Sequence, residues 1–186
     1  MEEKLQKRKP TRLGCFDYST TGAYFVTICT ENRRQILSNI TQLTPTGDDG
    51  TLNYIVGEGL APPAYRYKTN LTPCGKIAEQ QLLMLEDRFQ NLIVDQYVIM
   101  PNHIHVIFCL RNEAGGASPS PTISDVVCAY KSLTSRICKK EFLIDKMFQR
   151  SFYDHVIRNK HDYEEIAKYI VENPMRWHYD ELYLEQ

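Results

Sequence analysis

The chain has 186 residues, 42% of them apolar and 24% charged, which suits one globular domain and excludes disordered or fibrous classes. No window approaches the roughly eighteen uninterrupted apolar residues of a membrane span, and Met1-Glu-Glu-Lys lacks an apolar leader, so a non-secreted protein is expected. A formal net charge of -1 argues against a polyanion partner, but the charge is uneven: residues 1–12 carry a local +3, residues 123–160 a local +4 and residues 161–186 a local -5.

Residues 1–22 are polar and basic and read as an N-terminal arm. Gly22 to Thr30 is rich in aromatic and β-branched residues and predicts a strand. Between residues 38 and 73 lie Pro45, Gly47, Asp48, Asp49, Gly50, Gly57, Gly59, Pro62 and Pro63, turn chemistry that predicts a long loop with at most a short hairpin, a loop insertion over residues 41–73. From Gly75 to Phe89 the apolar residues Ile77, Ala78, Leu82, Leu85 and Phe89 fall at helical spacing. Leu92 to Met100 and Ile104 to Leu110 are apolar strands separated by Pro101-Asn102-His103, an antiparallel hairpin expected in the sheet centre. After a Gly/Ser/Pro linker over residues 113–122, Ser124 and Asp125 are expected to cap a helix from Val126 to Lys140, with Val126, Val127, Tyr130, Leu133 and Ile137 on one face. Phe148 to Ile157 is strand-like. Asp162 is expected to cap a last helix through Ile166, Tyr169 and Ile170, stopped by Asn173-Pro174.

Strand, helix, strand, strand, helix, strand and an added helix is a split βαβ pattern. It predicts an α/β (α+β) fold, a ferredoxin-like sandwich with helices on one face of an antiparallel sheet, as a single domain over residues 23–178 with a tail at 179–186. The six cysteines (Cys15, Cys29, Cys74, Cys109, Cys128, Cys138) form no CxxC and read as buried free thiols in a reducing cytoplasm.

His103 and His105 are two apart on an extended segment, so both rings leave one face of the sheet. Two readings are open: a pair of hydrogen-bonded core histidines, or two ligands of one metal. Tyr169 and Asn173 are four apart and project from one helical face. A helix crossing the sheet could bring Asn173 beside the histidines as an oxygen ligand and Tyr169 over the same metal; Tyr169 could equally be an amphipathic core or rim residue. Arg33 and Arg34 follow the first strand and suit backbone phosphates as well as solvated loop charge. Lys131, Arg136, Lys139 and Lys140 form either a basic stripe or the outer side of an amphipathic helix. His155, His161 and His178 read as structural or exposed, Glu165 as part of a solvated face, and Trp177 as a packing anchor.

Five ordered stretches carry a family resemblance: Arg12-Leu-Gly-Cys-Phe-Asp-Tyr-Ser, Gly22-Ala-Tyr-Phe-Val-Thr-Ile-Cys-Thr-Glu-Asn-Arg, Val98-Ile-Met-Pro-Asn-His-Ile-His, Phe148-Gln-Arg-Ser-Phe-Tyr-Asp-His-Val-Ile-Arg-Asn and Tyr169-Ile-Val-Glu-Asn-Pro. Over about residues 10–178 the chain resembles the REP-associated tyrosine transposases of the single-tyrosine HUH, IS200-like transposase family. The resemblance implies a ferredoxin-like domain that cleaves and rejoins hairpin-containing single-stranded DNA through a 5′-phosphotyrosine, with Mg2+ or Mn2+, as a monomer or homodimer. It implies that His103 and His105 are the metal pair, with Ile104 the bulky apolar residue between them. It makes Tyr169 the nucleophile and Asn173 the third, helix-borne ligand, at a place where some relatives carry Gln. It favours nucleic-acid contact for Arg150 and Arg158, which flank the last strand; Arg12, Arg33, Arg34, Lys131 and Arg136 join them as candidate DNA contacts from their place in the basic arm, the loop after the first strand and the helix stripe. The Gly47–Pro63 segment has no counterpart in shorter members. An alternative is a non-catalytic or domesticated ferredoxin-like nucleic-acid binder, which would need none of His103, His105, Tyr169 and Asn173.

Overall fold

Strand β1 (Gly22–Cys29) buries Tyr24, Val26 and Ile28 on one face and Phe25 and Thr27 on the other, so it is covered on both sides. In the computed structural model, which describes residues 22–43, 66–111 and 121–184, this strand is at the sheet centre. It pairs antiparallel with β5 (His103–Leu110), setting Thr27 opposite His105 and Phe25 opposite Ile107, and on its other edge with β6 (Tyr153–Ile157). Strand β4 (Leu92–Ile99) closes the outer edge of β5, giving the order β4-β5-β1-β6 of a ferredoxin-like sheet. The β4–β5 hairpin therefore does not occupy the sheet centre as a unit. β5 is buried almost throughout, whereas β4 exposes Asp95 and loses register between Val94 and Tyr97, as an edge strand tolerates.

Residues 38–73 hold more order than their turn chemistry suggested. β2 (Ser38–Leu43) and β3 (Arg66–Leu71) pair over six residues each as a separate two-stranded sheet. Polar residues such as Asn39, Thr41, Lys68 and Asn70 hide these strands from a hydrophobic reading. Ser38 Oγ donates to the Ile99 carbonyl at 2.8 Å and ties the pair to the end of β4. The arm with Arg12, the Gly47–Pro63 segment and residues 113–120 of the linker lie outside the described residues.

Helices α1 (Pro73–Leu83), α2 (Leu85–Arg88) and α3 (Ile123–Phe142) cover the face that carries Tyr24, Val26, Ile28, Ile104, Val106 and Phe108, and bury Ala78, Leu82, Leu85, Val126, Val127 and Tyr130 there. Helix α4 (Lys160–Glu172) lies on the opposite face, where Ile170 closes over Phe25 and Ile107 with Ile166 and Ala167 beside it. A 3-10 run, Asn173–Tyr179, follows. The caps of α3 and α4 lie just upstream of where they were expected. Thr72 caps α1, with Pro73 at its first turn; Thr122 caps α3 in a capping box whose third-position partner is Asp125. Asn159 caps α4 by accepting from Asp162 N at 2.9 Å, and Asp162 instead holds His155 Nε2 at 3.0 Å.

The strand expected from Phe148 is β6 alone. Phe148 makes only an isolated bridge to Thr30, and Gln149 N donates to the Cys29 carbonyl. Of the described cysteines, all free, Cys74 and Cys138 are buried, Cys29 and Cys109 half-buried and Cys128 exposed, so burial does not extend to every thiol. No described helix is long and apolar enough to cross a membrane.

Candidate functional site

Because the period of β5 is two, His103 and His105 leave the face that α4 covers while Ile104 and Val106 enter the main core. Both rings are buried, at 0% and 3% exposure, with centroids 4.4 Å apart. Each is held by a neighbour. Asn102 Oδ1 lies 2.8 Å from His103 Nδ1 and Asn102 Nδ2 donates to the Leu182 carbonyl at 2.7 Å, which fixes the amide's orientation. An amide oxygen only accepts, so His103 Nδ1 carries the proton and Nε2 presents its lone pair. That Nε2 is buried and, among the described residues, has no hydrogen-bond partner. Thr27 Oγ1, across the strand pair, lies 2.8 Å from His105 Nδ1. Burial pushes the His103 imidazole down to about 3, and burial with the neighbouring ring holds His105 well below its usual value, so both are neutral at neutral pH.

The amphipathic helix α4 delivers the rest. Tyr169 is 39% exposed, and its hydroxyl lies 3.3 Å from His105 Nε2. Phe25 stacks on His105 at 5.2 Å and meets the Tyr169 ring edge-on at 6.1 Å, filling the angle between them. One turn on, Asn173 is 1% exposed and its Oδ1 also has no hydrogen-bond partner among the described residues. Tyr163, the other tyrosine on this helix, is committed elsewhere, donating to Asp95 Oδ2 at 2.6 Å.

The sequence reading missed Asp180. The 3-10 run ends at it and turns its carboxylate inwards, with Oδ2 accepting from Asn173 Nδ2 at 3.2 Å and 3.9 Å from His103 Nε2. His103, His105 and Asp180 offer one ligand atom each within 4.8 Å of one another. Two neutral imidazoles, an amide oxygen without a partner and a carboxylate form a donor set that fits a divalent cation. Trp177, 4% exposed and 5.9 Å from the His103 ring, packs the rear of the site, the anchoring role anticipated for it. Thr27 and Asn102 were also missed; each is recognisable only once its partner across the strand or turn is known.

The basic residues are engaged in different ways. Arg33 Nη1 donates to the Glu181 carbonyl at 3.2 Å, near the histidines; Arg34 caps its own turn at the Glu31 carbonyl and reaches the Lys146 carbonyl. Lys131 is an internal brace, donating to the carbonyls of Gln149, Arg150 (2.9 Å) and Ser151 (3.4 Å). Arg136, Arg150 and Arg158 are exposed. A cavity of about 400 Å³ beside Lys131, lined by Cys128, Ser135, Phe148 and Phe152, includes none of the histidine cluster.

Comparison with known proteins gives three likenesses and one family. Residues 61–173 match the family described as "Transposase IS200 like". An uncharacterized protein of Haemophilus influenzae is 25% identical over 196 residues, spanning 97% of this chain and 96% of its own length. A solved REP-associated tyrosine transposase bound to a REP hairpin superposes with a TM-score of 0.58 at 18% identity, over 91% of this chain and 76% of that one, a likeness of fold. A putative transposase from Deinococcus radiodurans gives a TM-score of 0.45 at 16% identity, over 88% of this chain and 96% of that one.

Proposed function

The chain belongs to the IS200-like transposase family, and from that premise we propose that it cleaves and rejoins hairpin-containing single-stranded DNA through a covalent link to Tyr169. The observation that carries the proposal is the Tyr169 hydroxyl, 3.3 Å from His105 Nε2, on a side chain that is 39% exposed. A binder without chemistry has no use for a half-exposed phenol held over two buried, neutral imidazoles.

In this reading His103, His105 and Asn173 hold Mg2+ or Mn2+. Bound there, the cation would polarise a phosphodiester and offset the negative charge that grows on its oxygens. Thr27 and Asn102 keep the two imidazoles oriented, and Phe25 holds the phenol ring edge-on. Burial and the Asp180 carboxylate raise the Tyr169 phenol above its ordinary value, so the resting residue is protonated. Its proton departs as the Oη–phosphorus bond forms and the bond from phosphorus to the 3′-oxygen breaks. A free 3′-hydroxyl results, with the DNA 5′-end on the tyrosine. The phosphotyrosine keeps the diester energy, so a second strand's 3′-hydroxyl reverses the step and cleavage becomes strand transfer.

The partner is single-stranded DNA carrying a hairpin. The REP-hairpin complex of the structural relative supports this, as do exposed Arg136, Arg150 and Arg158 and the basic stretch Lys4–Arg12. The protein acts as a monomer or homodimer in the cytoplasm, where its free thiols stay reduced. The test is a labelled hairpin oligonucleotide incubated with Mn2+ and resolved by denaturing electrophoresis. Wild type gives a covalent protein–DNA band; Tyr169→Phe keeps fold and DNA affinity and gives none. A band that persists in Tyr169→Phe refutes the assignment.

A further inference from the structure

Beyond the two histidines and Asn173, the C-terminal segment brings a charge into the site. Asp180 follows the 3-10 run and its carboxylate is 5% exposed. Its Oδ1 is used locally, accepting from Leu182 N at 2.7 Å, so Oδ2 is the oxygen presented to the cluster. There it meets an amide N–H, Asn173 Nδ2 at 3.2 Å, and the His103 Nε2 lone pair at 3.9 Å, too long for a hydrogen bond. Among the described residues no lysine or arginine lies within ion-pair distance of it. A carboxylate so far out of water is costly unless a cation meets it.

We propose that Asp180 is a metal ligand, and that the docked C-terminal segment completes the divalent-cation site. This rests on the reading of His103 and His105 as the metal pair. An ion bound at about 2.1 Å holds opposite ligands about 4.2 Å apart. The ligand atoms of His103, His105 and Asp180, all within 4.8 Å of one another, need only a small contraction to share it.

The segment is placed by contacts independent of any ion. Arg33 Nη1 donates to the Glu181 carbonyl at 3.2 Å and Gln35 Nε2 to the Leu184 carbonyl at 2.8 Å. Trp177 and Tyr183 pack edge-on at 5.1 Å. Asn102 has two roles: its oxygen orients His103 Nδ1 while its nitrogen grips the Leu182 carbonyl at 2.7 Å. The same amide thus couples the ring's orientation to the position of the segment, and cation binding and segment docking favour each other.

The experiment is calorimetric titration of Mn2+ alone into the full chain, with thermal melts of the same proteins with and without the ion. Asp180→Asn is expected to weaken Mn2+ at least tenfold and to shrink the melting shift that Mn2+ produces, while the melt without metal stays level or rises because an uncompensated charge has gone. Gln35→Ala, which loosens the segment at a distance, is expected to weaken Mn2+ less, in the same direction. Unchanged or tighter Mn2+ binding by Asp180→Asn overturns the proposal, and so does a lower metal-free melting temperature with Mn2+ affinity intact, which would make Asp180 a structural latch. His103→Ala separates the two readings. If it loses Mn2+ while Asp180→Asn does not, only the role of Asp180 fails; if both bind as wild type, the histidine site itself is wrong.

Discussion

Replacing Gly75 by alanine sets helix propensity against packing, and the two give opposite signs. Gly75 is the third residue of α1, where alanine should gain about 1 kcal/mol over glycine by propensity alone. A Cβ at this position, however, would lie 1.9 Å from the Leu37 carbonyl oxygen and 2.9 Å from its carbon. Carbon and carbonyl oxygen approach comfortably to about 3.3 Å, so the backbones must part by about 1.4 Å. Leu37 has little room to retreat: its N–H donates to the Pro101 carbonyl at 3.0 Å and its oxygen accepts from Thr72 N and Thr72 Oγ1, each at 3.0 Å. Parting the chains breaks the Thr72 N bond and displaces the Thr72 hydroxyl, whose one proton is shared between the Ile36 carbonyl at 2.6 Å and the Leu37 carbonyl, at about 1 kcal/mol each, and disturbs the Thr72 cap of Gly75 N for about 1 kcal/mol more. Net of the propensity gain, Gly75→Ala is destabilising by about 2 kcal/mol, which lowers Tm by about 4–8 °C in a domain of this size. Thermal and urea unfolding by circular dichroism read this directly. A Tm equal to or above wild type would refute the reasoning, showing that α1 shifts freely against residue 37.

Thr27→Val keeps the shape of the side chain but strips His105 Nδ1 of its partner at 2.8 Å; Mn2+ affinity should fall about 10–100-fold by calorimetry. The buried imidazoles also make stability depend on pH. Unfolded, they take up protons near pH 6.5, whereas folded His103 does so only near 3, so the unfolded chain binds more protons between those values. The contribution of His103 is complete above about pH 6.5 and is lost as pH falls towards 3, by up to about 1.4 kcal/mol per pH unit, and that of His105 is lost in the same direction. Urea midpoints in metal-free buffer at pH 7.5, 6 and 5 should fall in that order, and a flat series would contradict it. Lys131→Met, which removes the brace on residues 149–151, should cost about 1–3 kcal/mol of unfolding free energy; a loss of DNA affinity with stability unchanged would restore Lys131 to the DNA-contacting set.

What could be read from the sequence follows how local the signal is. The histidine pair was legible because strand period alone puts residues 103 and 105 on one face, and Tyr169 with Asn173 because one helical turn separates them. Their meeting was not legible from spacing; it depends on α4 crossing the outer face of β1 and β5, and the family resemblance supplied that expectation. Asp180 gave no signal, being in an irregular stretch whose aim is set by Asn102, Arg33 and Gln35, all far away in the chain. Lys131 had a partner that was not legible either: its place on the polar side of α3 suggested solvent or phosphate, and a neighbouring loop supplies three carbonyls to its ammonium group. The two expected caps slipped because Thr122 and Asn159 each precede another residue with capping chemistry, and only backbone angles choose between them.

The two faces of the sheet are unequally covered, and this separates the molecule into parts of different tenacity. α1, α2 and α3 share one continuous core with the sheet, whereas α4 is fastened through a small cluster in which Ile170 is its one fully buried residue. Burying Ile170 is worth roughly 1.5–3 kcal/mol, and the partly buried Tyr163, Ile166 and Ala167 and the Tyr163–Asp95 hydrogen bond add smaller amounts, against the roughly 5–15 kcal/mol that holds a whole domain together. Lifting α4 away is thus a subglobal opening, reached without melting the sheet. Its amides should trade hydrogen for deuterium well before those of α3. The residue that would carry a DNA end is mounted on a helix held by this small cluster, where it can swing while the histidines beneath it stay in place.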